Sequence, residues 1–393
     1  MTNGTRQAVL VDGIRTVVGK AGKSLRKRSA VQLLEHVIVS ICKKTNISTQ
    51  EVEQFIIGHG YVHGNGLNSA RQASLRAGAR QESSGQVVIQ ACGSSLQAIW
   101  QAVLAVNHEP ELITIAGGVE SMSTIPHLLN MRTSDLYGHQ QLRDALIADG
   151  LECSVSHYLM GQLAEKIASK YEINRTDQDE YALHSHQKAS RAEQLGHFNA
   201  ERMIFPELSA DESIRHDASL EKLMKLPTIF EEYGTVTPGN ACPMNDAACV
   251  LLVMDEQIAL DHGYQDYFRI IGQAVCGVDP IWMGLGPVPA TNKALFRAGL
   301  TLQDIDWIEL NEAFAAQVLG VICEWEQFVP DVESKINPLG GAIALGHPVG
   351  ATGAILVNRA MQGLRRTQKQ YGLITLCMAG GMGWSMIIER ITR

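Results

Sequence analysis

Short apolar runs of strand length alternate with amphipathic helical patterns at both ends of this chain, and that alternation limits the fold more than any other feature. "AVLVDGIRT" reads as a strand and "AVQLLEHVIVSICKKTN" as an amphipathic helix, with "VEQFIIGH" and "ELITIAGG" following as strands. A strand, a helix and a strand within about 30 residues imply parallel strands joined by a right-handed crossover. From Glu120 to Asn245 the texture changes to polar loops around two helical segments, "GQLAEKIASKY" and "TDQDEYALHSHQKASRAEQLG". The second is expected to begin at an N-cap Thr176 and to end at Gly196. Beyond it "ACVLLVM" and "FRIIGQAV" restore strand character, and the alternation resumes through "IDWIELNEAFAAQVLG", "GHPVGATGAILVNRAM", "YGLITLCMAGG" and "WSMIIER". The last part echoes the first. The pattern therefore predicts a duplicated α/β unit: an N-terminal half over 1–119, completed by about 246–272, and a C-terminal half over 273–393. Residues 120–245 read as an insertion that covers or binds a ligand.

Composition removes several function classes. Hydrophobic residues make up 45% of the 393 and charged residues 19%, which is ordinary for a globular protein. A formal net charge of −8 argues against a general nucleic-acid binder, though a local basic patch remains compatible with one anionic ligand. No apolar run approaches the roughly 18 residues that cross a bilayer. The start, "MTNGTRQAVLVDGIRT", lacks the layout of a signal peptide, and "IIERITR" is neither a lipidation box nor a peroxisomal tripeptide. The eight cysteines are scattered without CxxC or close Cys/His spacing, so they read as reduced thiols rather than zinc ligands. The expectation is a cytoplasmic protein with no membrane or nucleic-acid partner and no metal.

Four polar residues stand where strands give way to helices or turns. Cys92 follows "QVVIQA", where Val87, Val88 and Ile89 read as a buried strand, and precedes a helix with an apolar face at Leu96, Ile99, Trp100 and Val103. It is either a packed core thiol or a nucleophile at a helix N-terminus, whose partial positive charge lowers a thiol pKa. Asn311 follows "DWIEL" and opens "NEAFAAQV", as a helix cap or as a site residue. His347 lies in "GGAIALGHPVGATGA" with Pro348 at the expected first helical position, and Cys377 closes "LITL". The glycine-rich stretch is not G-x-G-x-x-G, which weakens a dinucleotide reading. Ligands of open α/β sheets gather at the carboxyl ends of strands, so the four joints can face one crevice. Two thiols, a histidine and an amide form a kit for acyl transfer with proton transfer.

In this order, "CGSSLQAI", "AGGVESMSTIPH", "DQDEYALHSHQKA", "YGTVTPGNACPMNDAA", "MGLGPVPA", "NEAFAAQ", "NPLGGAIALGHPVGATGA" and "CMAGGMG" make the chain resemble the thiolase family of acyl-CoA C-acyltransferases over nearly its full length. The resemblance implies a duplicated five-layer α/β/α/β/α fold with an inserted loop domain, assembled as a homodimer or homotetramer. It implies that Cys92 accepts an acyl group, that His347 activates it, and that Asn311 holds a water at an enolate oxygen. Cys377 would move the α-proton, and the N–H groups of Cys92 and Ala379 would form an oxyanion hole. Coenzyme A thioesters would be substrates, with Arg215 and Cys242 on the coenzyme, and no further cofactor.

The sequence departs from the family pattern at Ile89, Ser95 and the pair Cys242-Pro243, where thiolases more often have asparagine, glycine and serine-glycine, and at Leu159, where short-chain biosynthetic members often carry histidine. Two other readings stand beside an active thiolase. One is another Claisen-type enzyme such as a ketoacyl synthase, and the other a thiolase-fold protein that binds acyl-CoA without turnover.

Overall fold

The computed structural model describes residues 7–132, 137 and 139–393; the opening residues read above for a leader lie outside them in part. Nine strands form the main sheet path: β1 (Ala8–Thr16), β2 (Gln54–His59), β3 (Ser84–Val88), β4 (Thr114–Ser121), β5 (Asn245–Asp255), β6 (Asp266–Gly277), β7 (Trp307–Leu310), β8 (Tyr371–Met378) and β9 (Met382–Thr392). The longer helices are α1 (Ala30–Thr45), α2 (Ser94–His108), α3 (Met160–Lys170), α4 (Arg175–Gln194), α5 (Pro287–Ala298), α6 (Ala315–Glu326) and α7 (Thr352–Thr367).

Strand order exposes the duplication. The path runs β3-β2-β4-β5-β1-β6-β9-β8-β7, so β2-β4-β5-β1 is matched in reverse by β6-β9-β8-β7. Pair directions match too: β2–β4 and β7–β8 are parallel, while β4–β5, β8–β9, β1–β5 and β6–β9 are antiparallel. In the sheet the halves pair at one position, Leu10 with Phe268. β6 pairs with β9 from Asp266 to Gly277, Phe268 included, so the second half begins near Asp266 and not at 273 as the sequence pattern placed it.

Three apolar clusters set the layers. Leu96 and Ile99 of α2 pack with Ala354 and Ile355 of α7 between strand residues of both halves, such as Leu251 and Met386. On the outer face of the first half, Leu33, Leu34 and Val37 of α1 meet Val9, Phe55 and Leu252. On the outer face of the second, Leu295 of α5 and Val318 of α6 meet Ile308, Leu373 and Ile387. The result is α/β/α/β/α, with α2 and α7 in the middle. Each of these two helices precedes the same strand of its half, β4 or β8.

The insertion leaves after β4 and returns at β5. Buried charge pins it to the sheet: Arg15 of β1 grips Asp211 with two bonds of 2.8 Å and reaches Glu201 at 2.7 Å. Helix α4 starts earlier than expected. Its N-cap is Asn174, whose side chain accepts from the N–H groups of Thr176 and Asp177, while Gly196 takes the expected left-handed turn at φ 69°. Three further expectations fail locally. Of the expected strand Val87–Ile89, Val87 and Val88 end β3 and Val88 is buried, but β3 is an edge and Ile89 lies beyond it, 60% exposed. Asn311 does not open a helix, since α6 begins at Ala315. Pro348 precedes α7 by four residues and uses its carbonyl to accept the N–H of Ala351 and Thr352.

Candidate active site

The chain is bent sharply where it delivers Cys92. Ala91 is held at φ 47°, a left-handed conformation that a β-carbon disfavours and that surrounding structure must enforce. Ser94 enforces it: its hydroxyl donates to the Ala91 carbonyl at 2.6 Å and accepts the Gln90 N–H at 2.8 Å. Gly93 is required by packing, because a β-carbon there would stand 2.2 Å from Met378 Sδ. Gly93 caps α2 without a side chain, and the first N–H of the helix, that of Ser94, donates to the Ala91 carbonyl at 3.1 Å.

His347 reaches Cys92 from the other half. Its Nε2 lies 3.2 Å from Cys92 Sγ, and its Nδ1 lies 2.7 Å from Thr352 Oγ1. Thr352 donates its own hydroxyl hydrogen to the Pro348 carbonyl at 3.0 Å. Threonine must therefore accept from Nδ1–H, which leaves Nε2 with a lone pair aimed at the thiol. The His347 backbone is fixed as well, by donation to Asn245 Oδ1 at 3.0 Å. Two carbonyl-side anchors complete the loop: Gly350 N–H donates to buried Glu120 at 2.9 Å, and Ala354 N–H donates to Ser95 Oγ at 3.0 Å.

The electrostatics differ from the sequence expectation. Burial pushes the Cys92 thiol up to about 12, against the opposing pull of the N–H groups of Cys92 and Ala379. These two N–H groups thus moderate the thiol pKa without bringing it below its ordinary value, in place of the helix N-terminus that the sequence suggested. Burial also lowers His347 to about 4, so the imidazole is neutral and basic at neutral pH. Burial raises Cys377, with Cys92 as the next cause, and raises Cys242 to about 12.

Cys92, His347, Cys377, Cys242 and Ala379 line one cavity of about 110 Å³, whose other walls include Tyr61, Gly150, Met160, Met283 and Phe314. Cys242 is placed by its N–H bond to the Ala313 carbonyl at 3.1 Å. Asn311 is fully buried and does not line this cavity; it borders a smaller one with Gly346 and Thr352, and both of its side-chain amide atoms lack a protein partner. Arg215 is not brought to the cavity. It is exposed in a separate basic hollow with His186, Arg191 and His216. Among the described residues, no group of three or more His, Cys, Asp or Glu is placed to hold a metal.

Sequence reasoning missed the supports: Thr352, Asn245, Glu120 and Tyr61. Three of them lay in motifs already quoted, "GATGA", "PMND" and "GGVES", but nothing local marks them as serving a histidine 5 to about 230 residues away.

The molecule is thus a two-half α/β protein in which a thiol and an imidazole meet at the N-terminal ends of equivalent central helices. Residues 8–257 match the thiolase N-terminal domain and residues 265–390 the thiolase C-terminal domain. The chain belongs to the thiolase family. It is 41% identical to an acetyl-CoA acetyltransferase of Escherichia coli strain K12, over 98% of this chain and all of that one. The Bacillus anthracis acetyl-CoA acetyltransferase superposes with a TM-score of 0.94 at 35% identity, covering 99% of this chain and 100% of the other. Human mitochondrial 3-ketoacyl-CoA thiolase, in complex with CoA, gives 0.93 at 34% identity, with 99% of each chain covered.

Proposed function

We propose that the chain is an acyl-CoA C-acyltransferase that cleaves 3-ketoacyl-CoA with coenzyme A and, in reverse, condenses acetyl-CoA. The observation that carries this reading is the 3.2 Å approach of His347 Nε2 to Cys92 Sγ in an apolar cavity that also holds the Cys377 thiol. In thiolysis, neutral His347 takes the Cys92 proton as sulfur attacks the 3-keto carbon. The oxyanion accepts hydrogen bonds from the N–H groups of Cys92 and Ala379. Collapse breaks the carbon–carbon bond and leaves acyl-Cys92 and an enolate. The imidazolium Nε2–H and a water held by Asn311 stabilise the enolate oxygen, and the Cys377 thiol protonates its carbon, releasing acetyl-CoA. The raised Cys377 pKa suits that task, since it keeps the proton in place until the enolate forms. Incoming coenzyme A then gives its thiol proton to Cys377 and attacks acyl-Cys92, and His347 returns its proton to Cys92.

No further cofactor enters this sequence. Cys242 lies along the coenzyme's thiol arm and Arg215 meets its phosphates; Arg215→Ala raises the Michaelis constant for coenzyme A more than it lowers turnover. The exposed β3 edge, followed by Ile89, supports pairing with a second copy as a homodimer or homotetramer. No helix of the described residues is long and apolar enough to cross a membrane, and we assign the protein to the cytoplasm and to fatty acid metabolism. The test is mass-spectrometric trapping of acetyl-Cys92 from acetyl-CoA together with a thiolysis assay. Acyl-CoA binding without either product would favour a non-catalytic binding protein.

A further inference from the structure

Tyr61 leaves β2 two residues past its end and lines the cavity of Cys92. It is 4% exposed and held at two points: its N–H donates to Glu120 Oε1 at 3.2 Å, and its hydroxyl donates to the Leu146 carbonyl at 3.1 Å. Its phenol sits against Gly150, in the turn Ile147–Leu151, so closely that a β-carbon on Gly150 would stand 1.8 Å from Tyr61 Oη and 2.4 Å from Cζ. The glycine is what lets the ring occupy this part of the cavity. The preceding Gly60 is confined too, since a β-carbon there would meet Glu120 Oε2 at 2.6 Å and Val349 Cγ1 at 3.1 Å. Backbone, hydroxyl and ring are therefore all held, the hydroxyl by a partly buried hydrogen bond and the ring by its seat on Gly150.

We propose that Tyr61, seated on Gly150, is the end wall of the acyl pocket and restricts the site to 3-ketoacyl-CoA substrates with short acyl groups. The proposal rests on the acyl-transfer reading and specifies its substrate class. Rigid walls reject extra methylenes because overpacking forces side chains off their preferred conformations. One methylene in such a pocket is worth about 10- to 200-fold in kcat/KM.

The experiment is thiolysis across four- to ten-carbon 3-ketoacyl-CoAs by wild type, Tyr61→Phe and Tyr61→Ala, with thermal midpoints as the check on folding. Wild type should lose about tenfold or more in kcat/KM from the shortest to the longest substrate. Tyr61→Ala should raise the long-to-short ratio by about tenfold or more, and Tyr61→Phe, which keeps the ring, should retain the wild-type ratio whatever its absolute rate. Tyr61→Leu carries the same expectation if the alanine variant does not fold. A flat wild-type profile, or an unchanged ratio in folded Tyr61→Ala and Tyr61→Leu, overturns the wall. Absence of acyl-Cys92 with every substrate overturns the acyl-transfer reading instead and takes this one with it.

Discussion

Cys92 and His347 solve a problem of charge. A thiolate–imidazolium pair waiting in an apolar cavity would have to be desolvated without full compensation, and both pKa directions show that the protein avoids it. The resting pair is neutral, and charge forms only as the thiol attacks. The acid limb of the acylation rate should therefore follow His347 near pH 4 rather than 6.5. Burst acylation measured from pH 4 to 8 checks this, and a limb at 6.5 would mean that His347 is solvated. Cys377 is separable from Cys92. Cys377→Ala should still form acetyl-Cys92, because that step needs no α-proton, yet lose thiolysis by about a hundredfold to ten-thousandfold, the scale of a missing general acid. Full thiolysis activity in that variant would make Cys377 a packing residue.

At the level of elements, α2 and α7 are coupled by one hydroxyl. Ala351, at the N-cap of α7, has no side chain that can satisfy the free N–H groups of the first turn, and Ser95 of α2 accepts the one from Ala354. Ser95 is a departure from the family's usual glycine, and the structure gives it this specific bond. Ser95→Ala should lower unfolding free energy by about 1–3 kcal/mol, the cost of a buried unsatisfied N–H, as read from urea titration. It should also slow alkylation of Cys92. The elements themselves were unevenly legible. "AVLVDGIRT" matched β1 residue for residue, because a strand buried on both faces keeps an apolar run between polar flanks. "QVVI" misled because its apolar residues lie at a sheet edge, where a partner outside the chain decides burial. The start of α4 was ambiguous by nature, since Asn174 and Thr176 are both good caps. Cys92, His347 and Cys377 were legible from their joints between elements, whereas Thr352 and Glu120 acquire meaning only from contacts the fold creates.

For the molecule as a whole, buried charge sets both stability and its pH range. Arg15→Met would leave buried Asp211 with only Arg202 at 3.4 Å and Glu201 with only Arg359 at 3.7 Å, and should cost about 3–5 kcal/mol, enough to loosen the insertion in limited proteolysis. Burial raises the carboxyls of Glu120 to about 8 and Glu309 to about 7, so each binds its proton more tightly when folded. Their contribution is complete below the unfolded value of about 4.3 and is lost as pH rises through 7 and 8. For Asp211 burial alone would raise the carboxyl, but Arg15 holds it below its ordinary value, so its contribution is lost only as pH falls below about 3.9. Burial holds His59, His186 and His347 down to about 4, which adds stability as pH rises toward 6.5, so thermal midpoints should peak near about pH 6.5 and decline as pH rises to about 8. A midpoint that keeps rising above pH 8 would contradict this.

The single paired position between β1 and β6 has a consequence for how the enzyme fails. One half supplies the sulfur and the other the nitrogen, so the 3.2 Å between them works as a gauge of how the two bodies are seated. A shift of one half against the other is read out directly at these two atoms, and it is felt as well in the central layer where α2 and α7 pack between the strands of both halves. Catalysis should accordingly vanish in mild urea before circular dichroism changes, and a chain that has lost only its internal alignment would look native by every measure except turnover.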